Sequence, residues 1–496
     1  MFALLSAKMK DTGVIVSYRM CFWFILLSIL IGLLAALLSG NLELNRSLSV
    51  DVPLHDFKTY MNERIPTLMK QYGIPGCSIA LVKDSEVVWA KAYGYADTAS
   101  GRALSVDTPM SVQSITKSVT AWGVMRLAEK GLIDLDAPVS KYLRSWQFPQ
   151  SEYPTDKITS RHLLNHTAGM PLGDFTNIYT PGEIMPSSRD VLSREAIPIR
   201  DAGVEFLYSN VGYNLMEILI EDITGQSFSE YIRREVLLPL GMESAVFEIR
   251  DETAPYPPTG YNLSGKPVPV YLYPSKASGG LFATAEDIAR FTAAGMKENP
   301  VLSAEGIERM YQPEAKKIGI YGLVFEAYGF GHYIETLPNG LRSVSHGGQG
   351  NGIMTHFQAV PETGDAIVIL TNSQRSWPFI ASLLSDWAQW RAFPTVGMGR
   401  IIWGHRVLCF VIGMLISASL LIVFRRLSGL SPQKRIGFRL IRVGTAVLLL
   451  GMLFWCVFKK YLFITSVFPV LSVWLGAAIF VFSIALLLSA AARQNG

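Results

Sequence analysis

The chain has 496 residues, of which 50% are hydrophobic, and its mean hydropathy is +0.28. This value is too high for an ordinary soluble protein, so part of the chain must suit a membrane. The formal net charge of +4 is small and no basic arm is present, which argues against nucleic-acid binding. Only Cys77 lies outside the apolar ends, so the central region cannot form an internal disulfide.

Four apolar runs divide the chain. The first, 20–38, follows a basic flank and is long enough for a transmembrane anchor, with a cleaved signal peptide as the alternative. Three more lie near 407–424, 443–458 and within 461–491. The three C-terminal runs contain no charged residue, which argues against a transporter.

The distribution of basic residues predicts the topology. The loop at 425–442 carries six basic residues and no acidic one, and the positive-inside rule therefore places it in the cytoplasm. The basic N-terminal flank is placed there too. We therefore expect a flank and anchor at 1–40, an extracytoplasmic domain at 41–400, and three transmembrane helices at 401–496. The protein is expected to be a multi-pass protein of the plasma or inner membrane.

Hydrophobic patterning within the outward domain predicts an α+β fold. Strands are expected at 77–83, 86–95, 328–335, 343–346, 353–360 and 366–370. Helices are expected at 114–130, 214–224 and 378–390. Strands at both ends with helices between them predict one antiparallel sheet built from both chain ends, plus a helical subdomain.

Ser114 and Lys117 form an S-x-x-K motif at the start of a predicted helix. Their spacing puts both side chains on one helix face. A serine hydroxyl needs a neighbouring base, and lysine serves only if its pKa falls from about 10.4 toward neutrality. Backbone N–H groups at a helix start also suit a developing oxyanion. The motif alone is weak, because the same pattern recurs at 431–434.

A tyrosine motif supplies a second set of candidates. Tyr208 and Asn210 form Y-x-N, in which a phenol can serve in proton transfer and an amide can orient the lysine. A second copy at 60–62 precedes the serine in a helix-like run, and we discard it.

A histidine and two glycines supply the third set. His346, Gly347 and Gly348 end a predicted strand, where glycine lets a substrate backbone approach closely. The next amide, that of Gln349, could be an oxyanion donor together with the Ser114 amide. Taken separately, each of these three motifs is more often structural.

The order S-x-x-K, Y-x-N, H-G-G resembles the β-lactamase-related serine hydrolases, which include class C β-lactamases and penicillin-binding proteins. Further matches lie at 158–170, 208–214 and 278–287, and the similarity spans about 55–390. An outward domain with three helices after it is also similar to membrane-anchored, prodrug-activating D-amino-acid peptidases of nonribosomal peptide pathways.

The resemblance implies a role for each residue. Ser114 would form the acyl-enzyme, Lys117 and Tyr208 would share the proton transfers, and Asn210 would assist. His346 stands where many relatives carry lysine, which puts β-lactamase activity in doubt. The resemblance requires neither a metal nor an organic cofactor, and it makes His166 structural.

The leading hypothesis is a membrane-anchored, extracytoplasmic peptidase or amidase that acts through an acyl-enzyme. Its expected partners are the lipid bilayer and a small peptide or acyl-amide substrate that contains a D-amino acid. An esterase with the same residues is one alternative. A catalytically silent penicillin-binding or wall-sensing module is an alternative of another class.

Overall fold

A computed structural model describes residues 49–250, 253–427, 436–458 and 467–491, together with Leu26 and Leu30. The chain divides into two compact units. Residues 48–400 form one unit, which holds all the candidate site residues. The other unit consists of 1–47 and 401–496.

The larger unit is built around an antiparallel sheet with the strand order β3-β2-β1-β12-β11-β10-β9-β8. Two short strand pairs, β4 with β7 and β5 with β6, lie apart from it. The strands are β1 Gly76–Lys83, β2 Glu86–Asp97, β3 Arg102–Ala103, β4 Met110–Ser111, β5 Gly260–Tyr261, β6 Pro267–Val268, β7 Phe282–Ala283, β8 Ala327–Tyr328, β9 Tyr333–Thr336, β10 Arg342–Gly350, β11 Ile353–Val360 and β12 Asp365–Thr371.

The two ends of the domain meet in the middle of this sheet. β1 pairs with β12 in a register that sets Ile79 opposite Ile369 and Ala80 opposite Val368. Both strands are almost wholly buried because helices cover both faces of the sheet. The prediction of one antiparallel sheet built from both chain ends, with a helical region between them, is confirmed.

The helices of the larger unit cover the sheet and fill the middle of the chain. They are α1 Leu54–Tyr72, α2 Thr116–Glu129, α3 Ser160–Leu164, α4 Ser188–Glu195, α5 Asn210–Thr224, α6 Phe228–Ile232, α7 Ala285–Ala294, α8 Ala304–Met310 and α9 Trp377–Trp390. α1 and α9 pack together through Phe57 and Trp390, whose ring centres are 4.1 Å apart. α7 packs against β1 and β12. α2 and α5 form the centre of the helical region.

Three predicted boundaries differ from the structure. β10 does not end at His346 but continues to Gly350, because residues 344–350 stay paired with β11. The strand expected at 328–335 is two short strands, β8 and β9, with Gly331 between them at a φ of 74°. α5 begins at Asn210, four residues before the prediction, because the Ser209 hydroxyl accepts the Gly212 N–H and caps the helix.

The smaller unit contains the C-terminal helices α10 Arg400–Leu427, α11 Ile436–Phe458 and α12 Pro469–Ala490. Three segments, Gly397–Arg426, Gly437–Phe458 and Pro469–Ala490, are long and apolar enough to cross a membrane. The expected N-terminal anchor falls almost entirely outside the described residues. The middle of the basic loop, 428–435, also lies outside them, whereas its two ends belong to α10 and α11.

Candidate active site

Ser114 lies in a short 3₁₀ helix, Gln113–Ile115, which runs directly into α2. The preceding residue, Gln113, has a φ of 52°, a left-handed conformation that is uncommon outside glycine. Its buried side chain donates to Ser111 Oγ over 2.8 Å and accepts from the Tyr273 hydroxyl over 3.1 Å. These contacts hold the strained turn that carries Ser114.

Lys117 lies one helical turn after Ser114, and its side chain is fully buried. The ammonium nitrogen lies 3.1 Å from Ser114 Oγ, 2.7 Å from Asn210 Oδ1 and 2.8 Å from the carbonyl oxygen of Ser278. Burial holds the pKa of Lys117 well below its ordinary value. The amine therefore loses a proton much more easily than a lysine in water.

The partners of Lys117 determine how its neutral form is oriented. A neutral amine has two N–H donors and one lone pair. The Ser278 carbonyl and the Asn210 side-chain oxygen can only accept hydrogen bonds, so they take the two donors. The lone pair is left facing the hydroxyl of Ser114, which donates to it.

Tyr208 and Asn210 meet Lys117 from the start of α5. The amine lies 5.0 Å from the centre of the Tyr208 ring. Burial raises the pKa of Tyr208 well above its ordinary value, and Tyr321 adds to this rise. The phenol therefore stays protonated, which disfavours a tyrosinate base and suits a proton donor.

His346 lies on β10 and is fully buried. Its Nδ1 lies 2.8 Å from the Gly347 carbonyl oxygen, which can only accept, so Nδ1 carries the hydrogen. Its Nε2 therefore accepts from the Tyr328 hydroxyl over 3.0 Å. Burial and the nearby Lys117 hold the pKa of His346 well below its usual range. The ring is neutral and both of its nitrogens are engaged.

The glycines of β10 allow the strand to run close to the turn that carries Ser114. A Cβ on Gly348 would come within 2.3 Å of the Val112 carbonyl oxygen, and one on Gly350 within 2.4 Å of the Gln113 side chain. Gly347 is similarly restricted on the other face, where Trp377 lies 2.8 Å from the position of its missing Cβ. These glycines are therefore needed for close packing.

Gln349 lies on the same strand, and its side chain accepts from the indole N–H of Trp377 over 3.2 Å. β10 and β11 are joined by a two-residue turn at 351–352, and Gly350 pairs with Ile353 beside it. Residues in an antiparallel pair alternate between bonded and unbonded positions. The Gln349 N–H therefore points away from β11, toward the edge where pairing with β9 has stopped at Ser345.

Two contributors were not recognised in the sequence. The Ser278 carbonyl binds Lys117 although the serine side chain is not involved. The buried Glu217 carboxylate of α5 accepts the N–H groups of Lys276 and Ala277 over 2.5 and 3.0 Å, and so fixes the loop that presents this carbonyl. The one available signal was an acidic residue on the apolar face of a predicted helix.

His166, which the resemblance makes structural, and His162 both accept backbone hydrogen bonds in the helical region. His166 accepts the Ser209 N–H over 3.1 Å, and its ring centre is 4.4 Å from that of Tyr208. The Nδ1 of His162 accepts the Thr159 N–H at the start of α3. In the part of the chain that the structure describes, no group of three or more His, Cys, Asp or Glu is placed to hold a metal ion.

This sheet and helical region, with a serine and a buried lysine at the start of one helix and a tyrosine just before the start of another, define a penicillin-binding-protein-like serine hydrolase. The chain belongs to the Beta-lactamase family, whose match covers residues 61–383.

Comparison with known proteins agrees with this assignment. The chain is 24% identical to penicillin-binding protein 4* of Bacillus subtilis, over 66% of this chain and 74% of that protein. It is similar to the octameric penicillin-binding protein homologue from Pyrococcus abyssi, with a TM-score of 0.59, 26% identity, and coverage of 72% and 81% of the two chains. The fold also matches a D-alanine carboxypeptidase from Burkholderia cenocepacia, with a TM-score of 0.53, 22% identity, and coverage of 65% and 95%.

Proposed function

We propose that the protein hydrolyses an amide bond next to a D-amino acid through an acyl-enzyme on Ser114. The main support is the set of three contacts around Lys117, which turns the lone pair of its neutral amine toward Ser114 Oγ. A buried amine with a lowered pKa is the feature that a serine nucleophile requires.

In the proposed acylation, Lys117 takes the proton of the Ser114 hydroxyl as its oxygen attacks the substrate carbonyl carbon. The negative charge moves to the carbonyl oxygen, which would be held by the N–H groups of Ser114 and Gln349. Tyr208 donates its phenolic proton to the leaving nitrogen as the C–N bond breaks, and regains a proton from Lys117. A water molecule then attacks the acyl carbon and loses a proton to the same groups. They return this proton to Ser114 Oγ as the ester C–O bond breaks, which releases the acid and restores the enzyme.

His346 suggests which substrates the site accepts. A fixed cation here would attract the carboxylate of a terminal amino acid or of a β-lactam, but His346 is neutral and both nitrogens are engaged. We therefore propose a substrate without a carboxylate at this position, such as an internal amide of a peptide or an acyl amide. The relatives named for penicillin binding and the D-alanine carboxypeptidase support a D-amino acid on one side of the bond.

The proposed location is the outer face of the plasma or inner membrane. Three apolar helices of spanning length support membrane anchoring. The six basic residues at 425–442 support a cytoplasmic position for the loop after the first of these helices, which leaves the catalytic domain outside.

Covalent labelling tests the nucleophile. A fluorescent fluorophosphonate and a fluorescent penicillin are incubated with the full-length protein in detergent, with Ser114→Ala and with Ser118→Ala. Ser118 is the control because its hydroxyl is buried nearby but donates to the Gly331 carbonyl. We expect the fluorophosphonate to label the wild type and the Ser118 variant only. Labelling that survives Ser114→Ala, or no labelling by either probe, would contradict the proposal.

Turnover tests the substrate class. N-acyl-D-aminoacyl amides, their L-enantiomers and matched acyl esters are compared with the wild type, with Ser114→Ala as the blank. We expect the D-amides to be cleaved and the L-amides not. If only the esters are turned over, the protein is an esterase and the peptidase assignment is wrong.

A further inference from the structure

One segment of the catalytic domain has two contrasting faces and lies against the active site. We call it the rim segment; it comprises residues 315–325 and includes the 3₁₀ helix Gly319–Leu323. Ala315 and Ile318 are buried, and Tyr321 and Phe325 pack with them. These inward-facing side chains are three or four positions apart and form the inner face of the rim segment, and within the 3₁₀ helix a spacing of three keeps side chains on one side.

The inner face of the rim segment contacts residues of the candidate site. The Tyr321 ring centre lies 5.4 Å from that of Tyr208, and the Phe325 ring stacks on Tyr333 at 4.1 Å. Ala315 forms a β-bridge with Tyr328, whose hydroxyl binds His346. The inner face of the rim segment therefore packs against residues of the candidate site.

The outer face of the rim segment combines apolar and basic side chains. Leu323 is 61% exposed and Ile320 is 39% exposed, although leucine and isoleucine gain by leaving water. Lys316 and Lys317 are exposed beside them. Among the residues that the structure describes, neither lysine forms an ion pair.

The rim segment also lies where the chain leaves the catalytic domain. Arg400 begins helix α10, and its guanidinium donates to the Leu323 carbonyl over 3.2 Å. The Gly397 N–H donates to Glu335, and a Cβ on Gly397 would lie 1.8 Å from the Val324 carbonyl oxygen. Gly397–Arg426 is a candidate membrane span, so the rim segment contacts the chain at the point where that span begins.

We propose that the outer face of the rim segment rests on the bilayer, with Ile320 and Leu323 among the acyl chains and with Lys316 and Lys317 on anionic headgroups. Exposed apolar residues next to lysines are what an interfacial surface requires, because the apolar side chains leave water and the lysines are attracted to anionic headgroups. The inner face of the rim segment, which contacts Tyr208, then lies close to the headgroup layer. This proposed membrane contact does not depend on the proposed reaction.

Site-directed spin labelling tests this contact without any activity measurement. Cys21, Cys409 and Cys456 are replaced by alanine in the full-length chain, while Cys77 stays because it is buried. A nitroxide is attached at L323C or, as the control, at L132C. Leu132 is 49% exposed and directly follows the glycine that ends α2.

Nanodiscs of equal parts phosphatidylcholine and phosphatidylglycerol are compared with nanodiscs of phosphatidylcholine alone. We expect the label at 323 to be relaxed mainly by oxygen, which is lipid-soluble, and to be protected from a water-soluble nickel complex. The label at 132 should show the opposite. Equal nickel accessibility at the two positions in both nanodiscs would overturn the proposal.

A charge-reversal pair tests the part played by the lysines. K316E/K317E is combined with the label at 323 and compared with K141E/K157E, which changes the net charge equally at two other exposed lysines. We expect K316E/K317E alone to restore nickel accessibility in the anionic nanodiscs. An unchanged thermal midpoint establishes folding, and protection that survives K316E/K317E would exclude anionic headgroups as the partner.

Discussion

Two lysines of the catalytic domain make one nearly identical contact but differ in burial. Lys91 donates to the side-chain oxygen of Asn62 over 2.7 Å, and Lys117 donates to that of Asn210 over the same distance. Lys91 lies on the exposed strand β2, whereas Lys117 is fully buried. The contact is shared, so removal from water is what distinguishes Lys117.

The aromatic neighbours extend this comparison. Lys91 lies 5.2 Å from the centre of the Tyr93 ring, and Lys117 lies 5.0 Å from that of Tyr208. A lysine, an asparagine and a tyrosine in contact thus occur twice, and only the buried group also contains a serine. The exposed group supplies a matched control for the lysine, the asparagine and the tyrosine of the buried group.

The largest expected effect comes from the two lysines. In Lys117→Met the base is lost, and we expect acylation of Ser114 to slow by about 10³-fold, within the range usual for general-base catalysis. Lys91→Met should react like the wild type. Stopped-flow labelling with a fluorophosphonate measures both rates. Equal rates in the two variants would show that burial of Lys117 has no catalytic consequence.

Replacing the two tyrosines should produce a smaller difference in rate than replacing the two lysines. Tyr208→Phe keeps the ring but removes the proton donor, and we expect turnover of an amide substrate to fall by about 10²-fold. Tyr93→Phe should change turnover less than twofold, a difference on the order of 0.4 kcal/mol. An ester with a good leaving group needs little protonation and should be less affected by Tyr208→Phe. If Tyr208→Phe lowers the turnover of the amide and of the ester by the same factor, Tyr208 does not protonate the leaving group.

The sequence predicted the sheet and the three site motifs because both depend on local patterns. β1 and β12 contain continuous apolar runs between turn residues, and the motif around Ser114 is only four residues long. Contacts between residues far apart in the chain could not be predicted from such local patterns. The Ser278 carbonyl is a backbone group, and nothing in a single sequence shows that it approaches Lys117 from 161 positions away.

Burial separates the two Y-x-N copies more clearly than their sequence does. Tyr60 and Asn62 lie on α1, where Asn62 accepts from Lys91 and from Tyr93 at an exposed position. Tyr208 and Asn210 lie at a helix start that faces Lys117. The strand β10 was predicted too short because the glycines at 347, 348 and 350 have low strand propensity, and only their packing against the turn at Gln113 explains them.

The pH dependence of the rate in variants of Asn210 and Asn62 tests the same comparison. The neutral form of Lys117 is the active one, so the rate should rise with pH through its lowered pKa. Asn210→Asp places a carboxylate beside the amine and favours the ammonium form, which raises that pKa. We expect the rising limb to move to higher pH by about one unit, so that the rate at pH values below the pKa falls about tenfold. Asn62→Asp should leave the profile in place, and an unshifted profile in Asn210→Asp would contradict a lysine base.

The smallest effect is expected at Glu217, which acts on Lys117 only through the loop that ends at Ser278. Glu217→Gln keeps one acceptor for the Lys276 and Ala277 amides, so we expect kcat to fall by roughly threefold to tenfold with KM unchanged. Glu335→Gln is the control, because burial raises the pKa of each of these glutamates to about 7 but Glu335 contacts Gly397 instead. A decrease of kcat in both variants would point to a general loss of stability.

The raised pKa of Glu217 also gives a stability test with a defined sign. A carboxyl group whose folded pKa is about 7 binds more protons in the folded than in the unfolded protein between its ordinary pKa of 4.5 and that value. The favourable contribution is complete below pH 4.5 and is lost as the pH rises through 7. The thermal midpoint of the wild type in detergent should therefore fall across this window, by about 4 °C for each buried glutamate. Glu217→Gln and Glu335→Gln should each remove the part of this fall in the thermal midpoint that its own carboxyl group causes. Only Glu217→Gln should also lower kcat, because only the Glu217 carboxylate fixes the carbonyl that orients Lys117.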